Sequence, residues 1–336
     1  ADDKPLVAYL CLRVPVETIE ACGAIPLRIA PLNHTAEATF SPVRTDGCSF
    51  CRQVPAIMRA EPFHRAAAVI AGSCCDQMRR ITETLHTELG VPVFLFGAPR
   101  TWGSDPEYFI LEMTVALEQI SRITGHLPSE AELRFHIRER NRLRRLVTDL
   151  RRARKLNTAL LHAIAKTPLP PGEVCCFLND FQERKPLEAQ LNLLLAGSIP
   201  GVWELEFIEE NGCRITADAT CLGDRVFHRL VPESGDPLKQ LYFSIVEEND
   251  CPHRRPVQPL LDTIAALAAE RNVDGIIYCT LKYCHPWGLL VERMKDEFDL
   301  PLLWVDDDFA SPAVSAFRTR VGAFREMLQM RRRRRA

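Results

Sequence analysis

The stretch Ala66–Gly72, AAAVIAG, is an unbroken apolar run, and Ser73-Cys74-Cys75-Asp76 follows it directly. An apolar run of strand length with no polar alternation predicts a strand covered on both faces, as in a parallel sheet between helix layers. From Cys75 to Leu89 the apolar spacing turns helical and stops at Gly90, a natural C-cap. Val91–Gly97, VPVFLFG, is the next predicted strand. On the other side, Leu6–Leu12 and Ile25–Ala30 read as strands with a short helix at Val16–Cys22 between them. This rhythm predicts a doubly wound α/β unit.

The second half repeats the layout. Leu191–Gly197 (LNLLLAG), Gly275–Thr280 (GIIYCT) and Leu300–Val305 (LPLLWV) are predicted strands, with helices over 255–271, 286–297 and 315–329. Between the halves, Pro106–Gly125 predicts one long helix. Ser129 with Glu132 three residues later predicts a capping box opening another that reaches Lys155. Pro168-Leu169-Pro170-Pro171-Gly172 is the strongest breaker in the chain and marks the expected boundary. The expected organisation is an N-terminal α/β domain with a helical extension over 1–167, a C-terminal α/β domain over 168–330, and a basic tail over 331–336.

A chain of 336 residues suits two such domains of roughly 150 residues each. A net charge of -2 offers no basic field for nucleic acid. No apolar run approaches the roughly 18 residues of a membrane span, and Ala1-Asp2-Asp3-Lys4 has no signal-peptide pattern, so a cytoplasmic location is expected. Thirteen cysteines are many for a reducing compartment, where thiols stay free or bind metal.

Ligands of open α/β sheets gather beyond the carboxyl ends of the strands. Cys75 and Cys284 follow apolar strands there, and Cys48 lies in the loop Asp46-Gly47-Cys48-Ser49-Phe50-Cys51-Arg52 before a short helix. All three are candidate metal ligands. Cys11, Cys22, Cys175, Cys176, Cys213, Cys221 and Cys279 sit in apolar or strand-like surroundings and read as core residues; Cys251 fits neither group. The spacing of Cys48 and Cys51 also permits a redox dithiol or half a zinc site.

Read together, these segments resemble a known family. Gly47-Cys48-Ser49-Phe50-Cys51-Arg52 resembles the first cysteine motif of the 2-hydroxyacyl-CoA dehydratases and benzoyl-CoA reductases, and Cys75-Asp76-Gln77-Met78-Arg79-Arg80 the second. Leu281-Lys282-Tyr283-Cys284-His285-Pro286-Trp287 resembles the third, and Arg318-Thr319-Arg320 with Ala323-Phe324 the C-terminal helix. The resemblance implies two flavodoxin-like α/β domains and a [4Fe-4S] cluster held by Cys48, Cys75 and Cys284, with one iron left open. It also implies low-potential electrons from a separate ATP-dependent activator that carries its own iron–sulfur cluster, used on an acyl-CoA or another poorly reactive small substrate. The partner is a related second subunit or a second copy of the chain. The expected activity is that of a 2-hydroxyacyl-CoA dehydratase-like lyase. The alternatives are a homodimeric double-cubane cluster reductase, a benzoyl-CoA reductase subunit and a non-catalytic cluster-binding subunit. Ser315-Ala316 stands where members usually carry Gly-Gln, which puts a familiar substrate in doubt.

His285, next to Cys284, is the candidate catalytic proton donor, with a packing role as its bland rival. Trp287 reads as packing beside the site. Asp76 suits a helix dipole or the surroundings of the cluster. No G-x-x-x-x-G-K-[ST] loop is present, which agrees with ATP hydrolysis on another protein. The arginines of Arg138–Arg154 read as a solvated helix face or a dock for an acidic partner, and Arg331–Arg335 as a disordered tail.

Overall fold

The computed structural model describes residues 4–31, 46–185, 187, 190–307 and 314–335. The first three residues, read above for a leader, lie outside the described ones, as does the side chain of Ser315. Along the chain run β1 (Leu6–Tyr9), α1 (Val16–Ala21), β2 (Ile25–Arg28), α2 (Ser49–Arg59), β3 (Ala66–Gly72), α3 (Asp76–Leu89) and β4 (Val93–Phe96). Four helices follow: α4 (Pro106–Thr124), α5 (Glu130–Arg152), α6 (Thr158–Lys166) and α7 (Pro171–Asn179). The rest comprises β5 (Leu191–Gly197), α8 (Val202–Glu210), β6 (Cys213–Asp218), α9 (Pro237–Leu241), α10 (Gln258–Glu270), β7 (Gly275–Leu281), α11 (His285–Gly288), α12 (Val291–Glu297), β8 (Leu302–Asp307) and α13 (Val314–Arg335).

Two four-stranded sheets result, ordered β2-β1-β3-β4 and β6-β5-β7-β8, and every pairing is parallel. This is the mixed α/β architecture of two flavodoxin-like units. In each sheet the order reverses beside its first strand, so a crevice opens between the carboxyl ends of β1 and β3, and another between those of β5 and β7. The apolar runs that announced β3 and β7 are buried along nearly their whole length, as sheets covered on both faces require.

The helix signals act where expected. Gly90 and Gly125 close α3 and α4 at φ 63° and 73°, left-handed values that glycine adopts without a Cβ clash. Ser129 and Glu132 form the reciprocal capping box of α5. The proline-rich breaker proves to be a helix start, with Pro171 at the first position of α7, where its missing N–H costs nothing. The helix expected over 286–297 is two short ones. The arginine run is no disordered tail: α13 continues through it to Arg335.

The two units interlock. The core on one face of the first sheet contains Val7, Ile70 and Phe96 together with Val231, Leu241, Tyr242 and Val246, which come from far along the chain. Arg13, buried just after β1, donates from Nε and Nη2 to the Val246 carbonyl at 3.0 and 2.8 Å. The Asn141 side chain clasps the backbone of Val231 from both sides, at 2.7 and 3.0 Å. In the other direction α6 packs on β6 and α8, where His162 Nε2 lies 2.6 Å from Asp218 Oδ2 in full burial.

The basic helix α5 has an inward face. Arg140, Arg144 and Arg151 turn into the protein and pair with Glu20, Glu17 and Asp224 at 2.6, 2.6 and 3.0 Å. Its solvated face carries Arg138 and Arg142 instead. No helix among the described residues is long and apolar enough to cross a membrane.

Candidate metal centre

Cys48, Cys75 and Cys284 are each the residue before a helix: α2, α3 and α11 respectively. Helix N-termini carry unsatisfied N–H groups and partial positive charge, so thiolates and anionic groups are favoured there. Cys75 shows the effect directly, its Sγ accepting from the Met78 N–H at 3.4 Å. Tyr283 takes a left-handed φ of 63°, uncommon for a residue with a Cβ, and turns the chain out of β7 so that Cys284 faces the crevice.

The three loops are tied together. Ser49 N and Oγ both donate to the Lys282 carbonyl, at 3.2 and 3.3 Å. The Cys48 N–H donates to Gln77 Oε1 at 3.4 Å. The Cys48 and Cys284 thiols are hydrogen-bonded to each other, and Ser198, at the end of β5, donates to Cys284 Sγ at 3.8 Å. A cavity of about 910 Å³ between the two sheets has all three cysteines in its wall.

The sequence reading was too narrow. Cys11, Cys51, Cys74, Cys221 and Cys251 line the same cavity, which makes eight cysteines in all. Cys11 and Cys221 are therefore not simple core residues, and Cys251 gains a place. The signal was available: Cys11 follows β1 and Cys221 follows β6 as Cys284 follows β7. Cys22, Cys175, Cys213 and Cys279 are buried core residues as expected, whereas Cys176 is exposed. A histidine was also missed. The ligand atoms of Cys74, Cys75 and His253 all lie within 4.8 Å of one another, a grouping able to hold a metal ion. His285 lines the cavity too and is exposed, as are Asp76 and Arg80 of the same lining. Trp287 is buried and packs edge-on against Tyr278, whose hydroxyl donates to the Trp287 carbonyl at 2.6 Å.

The thiols perturb one another. A hydrogen bond from Cys74 pulls Cys11 down to about 6 against its burial, helped by Arg28 and Arg13. The same neighbour lowers Cys75, assisted by the N–H groups of Met78 and Gln77. Cys74 itself is raised by Cys11, Cys75 and burial. Cys284 bonding alone would lower Cys48, but Cys51 and burial outweigh it and push that thiol up to about 12. Cys284 is raised by Cys48 and by burial. Burial lowers His253 to about 4, reinforced by Arg13, Arg100 and Arg255, so its ring is neutral at pH 7 and one ring nitrogen keeps a lone pair free for a metal.

The family profile described as 2-hydroxyglutaryl-CoA dehydratase, D-component, matches residues 11–328. The putative dehydratase subunit YjiM of Escherichia coli (strain K12) is 24% identical, with 96% of this chain and 91% of that protein covered. A benzoyl-CoA reductase subunit of Thauera aromatica is 24% identical over 86% of this chain and 81% of its own length. The beta subunit of (R)-phenyllactyl-CoA dehydratase of Clostridium sporogenes is 27% identical over a shorter stretch, 44% of this chain and 40% of that one. The profile runs through all three cysteine segments and every strand after β1, and so the chain belongs to the family of the 2-hydroxyglutaryl-CoA dehydratase D-component.

Proposed function

We propose that the chain is the iron–sulfur subunit of an activator-dependent, 2-hydroxyacyl-CoA dehydratase-like enzyme, with a [4Fe-4S] cluster held by Cys48, Cys75 and Cys284. The observation that carries this reading is the convergence of three helix-N-terminal cysteines, from both sheets, on one cavity. The donor set fits the group. The thiols are buried or half-buried, and Cys48 and Cys284 bond chiefly to one another, so both keep their protons until a metal competes for the sulfurs. A metal that displaces those protons turns an awkward thiol cluster into a satisfied one.

When bound, such a cluster supplies a low-potential electron to a poorly reactive acyl thioester. The chain does the rest. The helix N-termini of α2, α3 and α11 favour the anionic ligands, and Trp287 and Phe50 give the cavity apolar wall that excludes water. His285, exposed in the cavity lining, is placed to hand a proton to or from substrate as it enters. An ATP-dependent activator with its own cluster, and a related subunit or second copy, complete the proposed enzyme.

A second reading is favoured by one observation. Eight cysteines line the cavity, more than a single three-thiolate cluster uses, which suits a double-cubane cluster reductase. Iron and sulfide assays on anaerobically purified protein test both: about four irons per chain support the single cluster, and about eight the double cubane. Cys48→Ala, Cys75→Ala and Cys284→Ala should each lose most of the iron, while Cys176→Ser, on the surface, keeps it. Full iron in the Cys284→Ala protein would overturn the assignment.

A further inference from the structure

Cys74, Cys75 and His253 stand apart from the other side chains of the thiol cavity. Among the described residues they are the one group of three cysteine, histidine or carboxylate side chains whose donor atoms all lie within 4.8 Å of one another. Cys48, Cys75 and Cys284 do not meet that distance as a trio, and thiolates on separate irons of a cluster need not. The ligands of a single tetrahedral ion must come close. Bonds of roughly 2.3 Å to sulfur and 2.0 Å to nitrogen set such ligand atoms about 3.5–3.8 Å apart. Small side-chain rotations close the difference.

The group hangs from one support, the segment 96–102 at the end of β4. Ser73, the residue before Cys74, donates its N–H to the Phe96 carbonyl at 2.9 Å, and its hydroxyl accepts from the Ala98 N–H at 3.3 Å. The residues after His253 fasten to the same segment. The Arg255 N–H donates to the Arg100 carbonyl at 2.8 Å, and Arg254 Nη2 to the Thr101 carbonyl at 2.9 Å. The Trp102 indole N–H donates to the Pro256 carbonyl at 3.0 Å, and the Arg254 guanidinium lies 3.5 Å from the Trp102 ring centroid. Two loops from opposite halves of the chain are thus fixed together, with the imidazole set against the two thiols. Among the described residues that imidazole has no hydrogen bond or ion pair of its own. Cys75 opens α3 and accepts the Met78 N–H at 3.4 Å, a position that favours a metal-ligating thiolate.

We propose that in the cluster-free chain Cys74, Cys75 and His253 bind one zinc ion. Two thiolates and an imidazole are soft to borderline donors, which select zinc over magnesium, calcium or manganese, and zinc outranks ferrous iron on such a set. Three protein ligands leave the fourth tetrahedral position open. The site has a consequence for the rest of the cavity, and that consequence rests on the proposed function, whereas the zinc site does not. Cys75 cannot serve two metal centres at once, so zinc held with Cys74 and His253 keeps the cluster from forming. A chain loaded with zinc is thereby withheld from iron loading.

The test uses the full chain, purified without oxygen and stripped of metal, with zinc chloride as the probe in competition with a chromogenic chelator. One zinc should bind per chain, and X-ray absorption should find sulfur and nitrogen neighbours together. His253→Ala should weaken binding at least tenfold and remove the nitrogen, while Cys176→Ser, on the surface, should change nothing. His253→Cys supplies a ligand of another kind and should restore most of the affinity, which separates lost coordination from lost folding. Equal zinc affinity in the His253→Ala protein overturns the site. Zinc coordinated by sulfur alone in the unaltered protein does so too, as does a His253→Cys protein that binds no better than His253→Ala. Cys284→Ala separates this site from the cluster: its zinc affinity should stay within twofold while its iron is lost. Preloading the unaltered protein with one zinc should cut iron uptake during cluster assembly at least fivefold, and His253→Ala should escape that block. Zinc at the site with full iron uptake would overturn the shared use of Cys75 and leave the zinc site standing. Full iron uptake in a chain that binds no zinc would sink the zinc site alone.

Discussion

Ser49 gives both its N–H and its hydroxyl to the carbonyl of Lys282, at 3.2 and 3.3 Å. One residue before Ser49 is Cys48, and two residues after Lys282 is Cys284, so this pair sets the distance between thiols contributed by different sheets. Ser49→Ala keeps the backbone bond and loses the other. The expected cost in stability is small, about 1 kcal/mol. Iron retention should suffer more, and dialysis against a chelator should strip the variant faster than the unaltered protein. Equal stripping rates would show that the loops are held without it.

Thiol reactivity follows from the pKa shifts. In iron-free protein at pH 7, Cys11, at about 6, is mostly thiolate, whereas Cys48, at about 12, is almost wholly protonated. Iodoacetamide should therefore label Cys11 at least ten times faster, as read by peptide mass spectrometry. Raising the pH from 7 to 9 should speed labelling of Cys48 and leave Cys11 nearly unchanged. Faster labelling of Cys48 at pH 7 would contradict this ordering.

The proposed electron supply makes its own demand. Turnover with a mild chemical reductant should be absent or brief unless activator and ATP are added; sustained turnover without them would remove the activator from the scheme. A dock on α5 has to use its exposed arginines. Arg138→Glu with Arg142→Glu should weaken activator coupling at unchanged stability. Arg151→Glu is not a docking probe, because Arg151 is buried against Asp224 and its reversal should cost about 3–5 kcal/mol in folding stability.

Acid should weaken the α6–β6 contact. Burial alone would raise the Asp218 carboxyl, but His162 at 2.6 Å and the Thr220 N–H hold it below its usual value. A depressed carboxylate contributes stability above its unfolded pKa, about 3.9, and loses it as pH falls through the lower folded value. Urea melts should thus show stability dropping below about pH 4. Asp218→Asn should be destabilised at pH 7 and should show a shallower drop across that acid range.

The sheets were legible because their strands are extreme. Ala66–Gly72 and Leu191–Gly197 match the structure end to end. β6 was not, since Cys213-Arg214-Ile215-Thr216-Ala217-Asp218 mixes polar with apolar residues and sits next to a reversed connection. Cys75 and Cys284 were singled out by their place after strands and before helices, and Cys48 by its loop before a helix. Cys11 and Cys221 obey the same rule, yet their apolar neighbours made them look like packing. His253 and Arg28 carried no local signal. Their meaning lies in what surrounds them in space, and sequence spacing is blind to that.

The exchange of packing segments has a mechanical consequence. With Val231, Leu241, Tyr242 and Val246 embedded under the first sheet and α6 under the second, the two units cannot swing apart as lobes on a hinge without exposing both cores. Unfolding should follow one cooperative transition, and neither unit should persist as a proteolytic fragment. Traffic to the thiols must then enter through the open side of the cavity, where Asp76, Arg80 and His285 are among the exposed lining residues, with the walls standing still.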